Sequence, residues 1–132
     1  MDFRIYYEDT DCSGIVYHGS YFKFCERARS ELFFQKMLSP QNQDGFFVVT
    51  DIEAKFLNSA KLGDLIQVKS KILAIKKVSL LLEQKVFLIR DSSGFDDIKE
   101  LFKMNVQLAF LDSITKKPKK MPQYFLEVVN GG

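Results

Sequence analysis

The segment Tyr7-Glu8-Asp9-Thr10-Asp11, followed closely by Gly14-Ile15-Val16-Tyr17-His18, gathers two aspartates, a glycine and the only histidine of the chain. It lies where a strand-like start meets a long amphipathic stretch. The first amides of a helix have no partner within it, and the helix dipole adds positive potential there, so such a junction is a ready anion or oxyanion site. A substrate carbonyl placed against the amides around Tyr17 and His18 would be polarised. Gly14 would let it approach the backbone closely. Asp11 would stand across the same small pocket as nucleophile or general base. Acyl transfer needs those two parts, an attacking group and donors where the oxyanion develops. A carboxylate facing a helix start is also favoured in its charged form.

Taken alone, these residues leave other roles open. An aspartate in a turn closes a loop or caps a helix more often than it reacts. Two of them, two positions apart, suit one structural and one chemical role. His18 alone reads equally as a helix-start histidine satisfied by a neighbour, and Tyr7 as a strand aromatic and core residue. No phosphate-binding glycine loop, Ser-His-Asp order, HExxH or CxxC motif occurs, so metal and nucleotide-redox chemistry find no support and no cofactor is expected.

Composition narrows the classes further. The 132 residues suit one domain, with 46% hydrophobic and 27% charged residues, an ordinary globular balance. Nineteen basic against 17 acidic residues leave a net charge of +2, too little field to make nucleic acid a partner. The basic cluster Lys116, Lys117, Lys119 and Lys120 around Pro118 reads as a solvated turn. Cys12 and Cys25 have neither disulfide-framework nor metal spacing and are expected as reduced thiols in a cytoplasmic protein. No apolar run approaches the ~20 residues of a membrane span. Thirteen Phe and no Trp imply either a Phe-filled core or an apolar cavity.

The positioning elements follow from periodicity. Phe3, Ile5 and Tyr7 alternate with polar neighbours as a strand, and Asp11-Cys12-Ser13-Gly14 is a turn. From about Ser20 to Met37, Tyr21, Phe24, Cys25, Ala28, Leu32 and Met37 keep three-to-four spacing, which predicts the one long helix. Pro40 and the polar run after it end the helix. Strands are expected over 46–57, 66–74, 78–89 and 96–111, the last on topology because its front could be helical. A short helical turn follows Pro122. One helix on an antiparallel sheet is an α+β architecture. A single helix leaves part of such a sheet bare, so oligomerisation is expected.

The order Tyr7-Glu8-Asp9-Thr10-Asp11, Gly14-Ile15-Val16-Tyr17-His18, Tyr21 and Glu26-Arg27-Ala28-Arg29 closely resembles the hotdog-fold acyl-CoA thioesterases, in the YbgC-like branch of the 4-hydroxybenzoyl-CoA thioesterase family. The resemblance spans nearly the whole chain and is strongest over residues 3–33. It implies a single domain over 1–132, with one long central helix wrapped by a curved five-stranded antiparallel sheet. It implies an acyl-CoA thioester hydrolase and a homotetramer, a dimer of dimers with active sites at the subunit interface. Asp11 matches the catalytic carboxylate, and the backbone N–H of His18 the donor that polarises the thioester carbonyl. The His18 imidazole becomes a helper, and Tyr7 an aromatic that shapes the pocket.

The same resemblance makes Gly14, Val16 and Tyr17 substrate-binding loop residues. Lys76, Lys77 and Ser79 resemble a basic, serine-bearing stretch near the CoA moiety. Lys55 and Asn58 are further candidates to reach a partner's site. Cys12-Ser13 stands where the hydroxybenzoyl branch has Pro-Ala, which favours an aliphatic acyl chain. The expected partners are acyl-CoA and, as a second thioester donor, acyl carrier protein. Two other readings remain: a hotdog dehydratase, and a non-catalytic binder of acyl-CoA or acyl carrier protein.

Overall fold

A computed structural model describes residues 1–131, with side-chain surroundings through residue 128. Its elements are β1 (Asp2–Arg4), a 3-10 turn (Tyr7–Asp9), α1 (His18–Phe34), β2 (Gly45–Phe56), β3 (Leu65–Ile75), β4 (Ser79–Arg90), β5 (Asp96–Asp112) and α2 (Gln123–Gly131). The strands form one antiparallel sheet in the order β1-β3-β4-β5-β2, so β1 and β2 are its edges. β1 pairs with the start of β3, Phe3 lying opposite Ile66. The α+β class and the five antiparallel strands are those expected, and residues 96–112 are strand throughout.

Alternation explains β4 and the back of β5. Leu80, Leu82, Gln84, Val86 and Leu88 are buried, as are Met104, Val106, Leu108 and Phe110, while the residues between them are partly exposed. A period of two puts one row of side chains on one face. In α1 the apolar residues return every three or four positions, which buries Tyr21, Phe24, Cys25 and Ala28 along one stripe.

The helix stops earlier than expected, and Met37 is not on its apolar face. Leu38 N–H donates to the Phe33 carbonyl and Met37 N–H to the Phe34 carbonyl, both at 3.0 Å. That pair of reversed bonds is a Schellman closure, which needs a left-handed residue just past the helix. Met37 takes that place at φ 60 and is 92% exposed. β1 is likewise short: the chain leaves the sheet after Arg4 and winds into the 3-10 turn. Tyr7, expected as a strand and core aromatic, therefore starts a turn and is 81% exposed.

The chain divides into two compact units. The first takes Met1–Ala28, Ala54–Ser70 and Gln84–Met104; the second takes Arg29–Glu53, Lys71–Glu83 and the chain from Asn105 onward. In the first, the Tyr21 ring stacks on Phe102 at 5.2 Å and 7°, and Phe22 and Phe56 lean on Phe102 at 5.4 and 5.2 Å. In the second, Phe33, Phe47, Phe110 and Phe125 form a mutual cluster with centroids 5.1–5.7 Å apart. Many of the phenylalanines are thus core, each unit holding its own aromatic centre. The turn after β5 is Ser113–Thr115, with the Asp112 carboxylate accepting the amides of Ile114 and Thr115; the Lys116–Lys120 segment follows it, Pro118 bridging back to Leu111. Among the described residues no helix is long and apolar enough to cross a membrane.

Phe102 is fully buried at the hub of the first unit's aromatic cluster. Phe102→Ala removes that hub and leaves a cavity. It should lower the unfolding free energy by about 3–5 kcal/mol, read from urea denaturation; a loss under about 1 kcal/mol would show that the ring is not the hub.

Candidate active site

The two aspartates of the triplet part company. Asp9 is 2% exposed, and its carboxylate accepts the Tyr6 amide at 2.9 Å and the Lys23 ammonium at 2.7 Å. The Asp9 carbonyl accepts the Tyr17 amide at 2.9 Å and the Ser20 hydroxyl at 3.1 Å. Three of these bonds tie the 3-10 turn to the start of α1, and the Tyr6 bond caps the turn itself. Asp9 is the structural member, because a buried carboxylate must be fully partnered.

Asp11 is exposed and sits in a tight loop. Its amide donates to the Ile15 carbonyl at 2.9 Å, and its own carbonyl accepts the Gly14 amide at 3.2 Å. Gly14 holds φ +83, the left-handed region open to glycine without strain, which lets the loop close in so few residues. Strand-like bridges Thr10↔Val16 and Ile15↔Lys61 flank it. Val16 is buried and donates to the Ala60 carbonyl at 3.0 Å, and the Gly14 carbonyl accepts the Leu62 amide at 3.2 Å. Gly14 and Val16 fasten the loop to the segment before β3.

One oxygen of Asp11, Oδ1, accepts both the Ser13 hydroxyl at 2.6 Å and the Ser13 amide at 2.9 Å. The other, Oδ2, has no hydrogen-bond partner among the described residues. The Ser13 hydroxyl first, and its amide second, hold the carboxyl below the ordinary 3.8; slight burial opposes them, while the Ile15 amide and the charge of His18 add to the lowering. The direction is the one expected for a charged carboxylate. The leading cause is different: hydrogen bonds from Ser13, rather than the helix start.

At the helix start the available donors are fewer than expected. The Tyr17 amide is engaged by Asp9 and cannot serve a substrate, which removes it from the pair of donors foreseen around Tyr17 and His18. The amide of His18, first residue of α1, has no acceptor among the described residues. The Tyr17 side chain is 62% exposed beside it.

The His18 imidazole lies on the Phe56 ring, centroids 4.6 Å apart at 42°. Behind them Phe22 and Tyr21 complete an aromatic wall, with Phe56 6.1 and 6.2 Å from them. Burial, chiefly, raises the Tyr21 phenol above its usual value, so it stays neutral, and its oxygen accepts the Ala60 amide at 3.2 Å. Sequence reasoning missed Phe56 and Lys23. Nothing local marks either, since each meets its partner far along the chain. Ser13 did carry a signal, the Asp-x-Ser spacing of a side chain that bonds the backbone two residues on.

Asp11, His18, Gly14, Val16, Tyr17 and Tyr7 thus share the junction in the first unit. Lys76, Lys77 and Ser79 belong to the second unit. There Lys76 and Ser79 line a recess of about 190 Å³ with Gln107, and the Lys76 amide donates to the Ser79 carbonyl at 2.8 Å. Asn58 is engaged with the Glu100 carbonyl at 2.9 Å, and Lys55 is exposed on β2. Among the described residues, no group of three His, Cys, Asp or Glu side chains could hold a metal ion.

Residues 13–93 match the family described as the Thioesterase superfamily. Over 132 residues the chain is 38% identical to an acyl-CoA thioesterase YbgC of Helicobacter pylori, covering 98% of each protein. An acyl-CoA thioester hydrolase YbgC of Escherichia coli O6:H1 is 30% identical over 123 residues, which is 91% of this chain and 87% of that protein. Among solved structures, the 4-hydroxybenzoyl CoA thioesterase of Pseudomonas sp. strain CBS-3 superposes with a TM-score of 0.81 at 19% identity, covering 97% of this chain and 96% of that one. That likeness shows the fold, the hotdog fold.

Removing the Asp9 carboxylate should loosen the junction from both sides. Asp9→Ala deprives Lys23 and the Tyr6 amide of their acceptor, and Lys23 is exposed enough for water to recover part of the loss. The expected cost is about 2–3 kcal/mol of unfolding free energy, measured by denaturant titration. A change below about 0.5 kcal/mol would show that the carboxylate does not hold the turn to α1.

Proposed function

The chain belongs to the thioesterase superfamily, and from that footing we propose that it hydrolyses acyl-CoA thioesters to the free acid and CoA. The observation that carries this reading is an exposed carboxylate, kept charged, on the same short junction as an uncommitted amide at the start of α1. The thioester carbonyl oxygen would accept the His18 N–H, and negative charge developing there would meet the positive end of the helix. Asp11 would supply the second half of the chemistry. As nucleophile it forms a mixed anhydride and expels the CoA thiolate, and water then opens the anhydride. As base it takes a proton from the attacking water. Both routes consume one water and release acid and thiol.

The remaining assignments belong to the same proposal. His18 orients the carbonyl or the water with its imidazole, which Phe56 steadies. Tyr7, exposed beside the loop, flanks the acyl group or the pantetheine arm, and Gly14, Val16 and Tyr17 form the loop against which the thioester rests. The CoA phosphates fall to Lys76, Lys77 and Ser79; in a site at a subunit interface these need not come from the protomer that holds Asp11. The protein acts as a single hotdog domain over 1–132, assembled as a homotetramer. In support, the edge strand β2 and the residue after it expose the apolar side chains Val49, Ile52, Phe56 and Leu57, surface that association would cover. The acyl group is aliphatic, carried by CoA or by acyl carrier protein. A cytoplasmic setting accords with Cys12 and Cys25 not being joined in a disulfide among the described residues.

Hydrolysis should be assayed as thiol release over acyl-CoAs from acetyl to palmitoyl. Asp11→Asn should lower kcat/KM by about 10³-fold for every chain length while leaving thermal unfolding unchanged. Near-normal turnover by that variant would take Asp11 out of the mechanism. His18→Ala keeps the main-chain donor, so it should lose less than about 10²-fold; a loss matching that of Asp11→Asn would make the imidazole the essential base.

A further inference from the structure

We propose that Ser13 is a positioning residue for Asp11: its hydroxyl and amide hold Oδ1, so that Oδ2 is the oxygen turned to the substrate. The inference rests on the hydrolase reading above and names a residue that neither the family resemblance nor the sequence pattern assigned.

The geometry is specific. Two donors from one residue converge on a single carboxylate oxygen, at 2.6 and 2.9 Å. The amide bond alone would be an ordinary turn closure. The hydroxyl bond is the shorter of the two and has no counterpart in the backbone. A carboxylate held by both cannot rotate freely about its Cβ–Cγ bond, which removes the orientational search that a free aspartate on a loop would make at each encounter. The loop that carries the pair is itself fastened, by Asp11 N–H to the Ile15 carbonyl and Val16 N–H to the Ala60 carbonyl. The clamp therefore aims Oδ2 relative to the fixed start of α1.

The clamp has an electrostatic consequence. Donors that favour the charged form lower the carboxyl's proton affinity, and Ser13 gives the two largest contributions. The Ile15 amide, and the electrostatic influence of His18 at the start of α1, lower it further. Asp11 must be charged to act, so a lowered value keeps the enzyme active to lower pH. Loss of the hydroxyl raises the value and moves the acid limb of the rate profile to higher pH.

The test compares wild type, Ser13→Ala and Ser13→Thr by two readouts. NMR titration of the Asp11 side-chain carboxyl needs no substrate; pH profiles of kcat and KM use the best acyl-CoA of the chain-length series. In Ser13→Ala the Asp11 titration and the acid limb of kcat should both move upward, kcat should fall about 10-fold with KM little changed, and Ser13→Thr should restore both. An unmoved titration overturns the proposal, whether kcat falls or not, since a fall alone would then reflect loop packing. A wild-type protein inert towards every acyl-CoA would instead defeat the hydrolase reading, and the positioning role with it, while the titration still reports the contact itself.

Discussion

The junction depends on one buried carboxylate. Asp9 takes the Lys23 ammonium and the Tyr6 amide on its side chain, and the Tyr17 amide and Ser20 hydroxyl on its carbonyl. Those bonds fix where the 3-10 turn stops and where α1 starts. They also decide which amide stays open: with Tyr17 engaged, His18 becomes the first free donor of the helix. A buried carboxylate is tolerable because each oxygen has a partner and one of them is a cation. The same group that secures the fold thus leaves open the amide to which the proposed mechanism assigns the substrate oxygen.

Next to this anchored residue, Asp11 shows the opposite character. It is exposed, clamped on one oxygen only, and held charged chiefly by hydrogen bonds from Ser13. Two residues of one type, separated by Thr10, have been given different surroundings by the fold. Thr10 helps to separate them: its amide and hydroxyl both return to the Tyr7 carbonyl, at 3.0 and 2.9 Å, which closes the 3-10 turn behind Asp9. The chain can then leave in the direction that exposes Asp11. Sequestered charge and available charge sit two residues apart because the backbone turns between them.

Much of the framework was legible in the sequence. The three-to-four spacing from Tyr21 to Ala28 and the alternation from Val106 to Phe110 are direct readings of which faces are buried, and those faces are what the structure buries, though the helix stripe then passes to Phe33 and leaves Leu32 only partly covered. The polar run after Pro40 marked the end of the helix well enough, though not the left-handed Met37, since a Schellman closure with a non-glycine residue leaves no compositional trace. Tyr7 was misjudged because alternation continues in the letters after the strand has stopped. At the junction, a structural role for one of the two aspartates could be anticipated, but not the engagement of Tyr17 by Asp9 or the contact of His18 with Phe56. Both are tertiary contacts between residues whose local patterns are silent about each other.

The central claim is a geometric one: the reacting carbonyl lies between Oδ2 of Asp11 and the main-chain N–H of His18. Its most direct test is a crystal structure of the protein bound to an acyl-CoA analogue whose thioester sulfur is replaced by methylene, which keeps the carbonyl but cannot be hydrolysed. The account predicts the carbonyl oxygen at about 3 Å from the His18 nitrogen, with Oδ2 facing the carbonyl carbon directly or across one water. A carbonyl bound away from the start of α1, with Asp11 still closed on Ser13 and facing solvent, would contradict it.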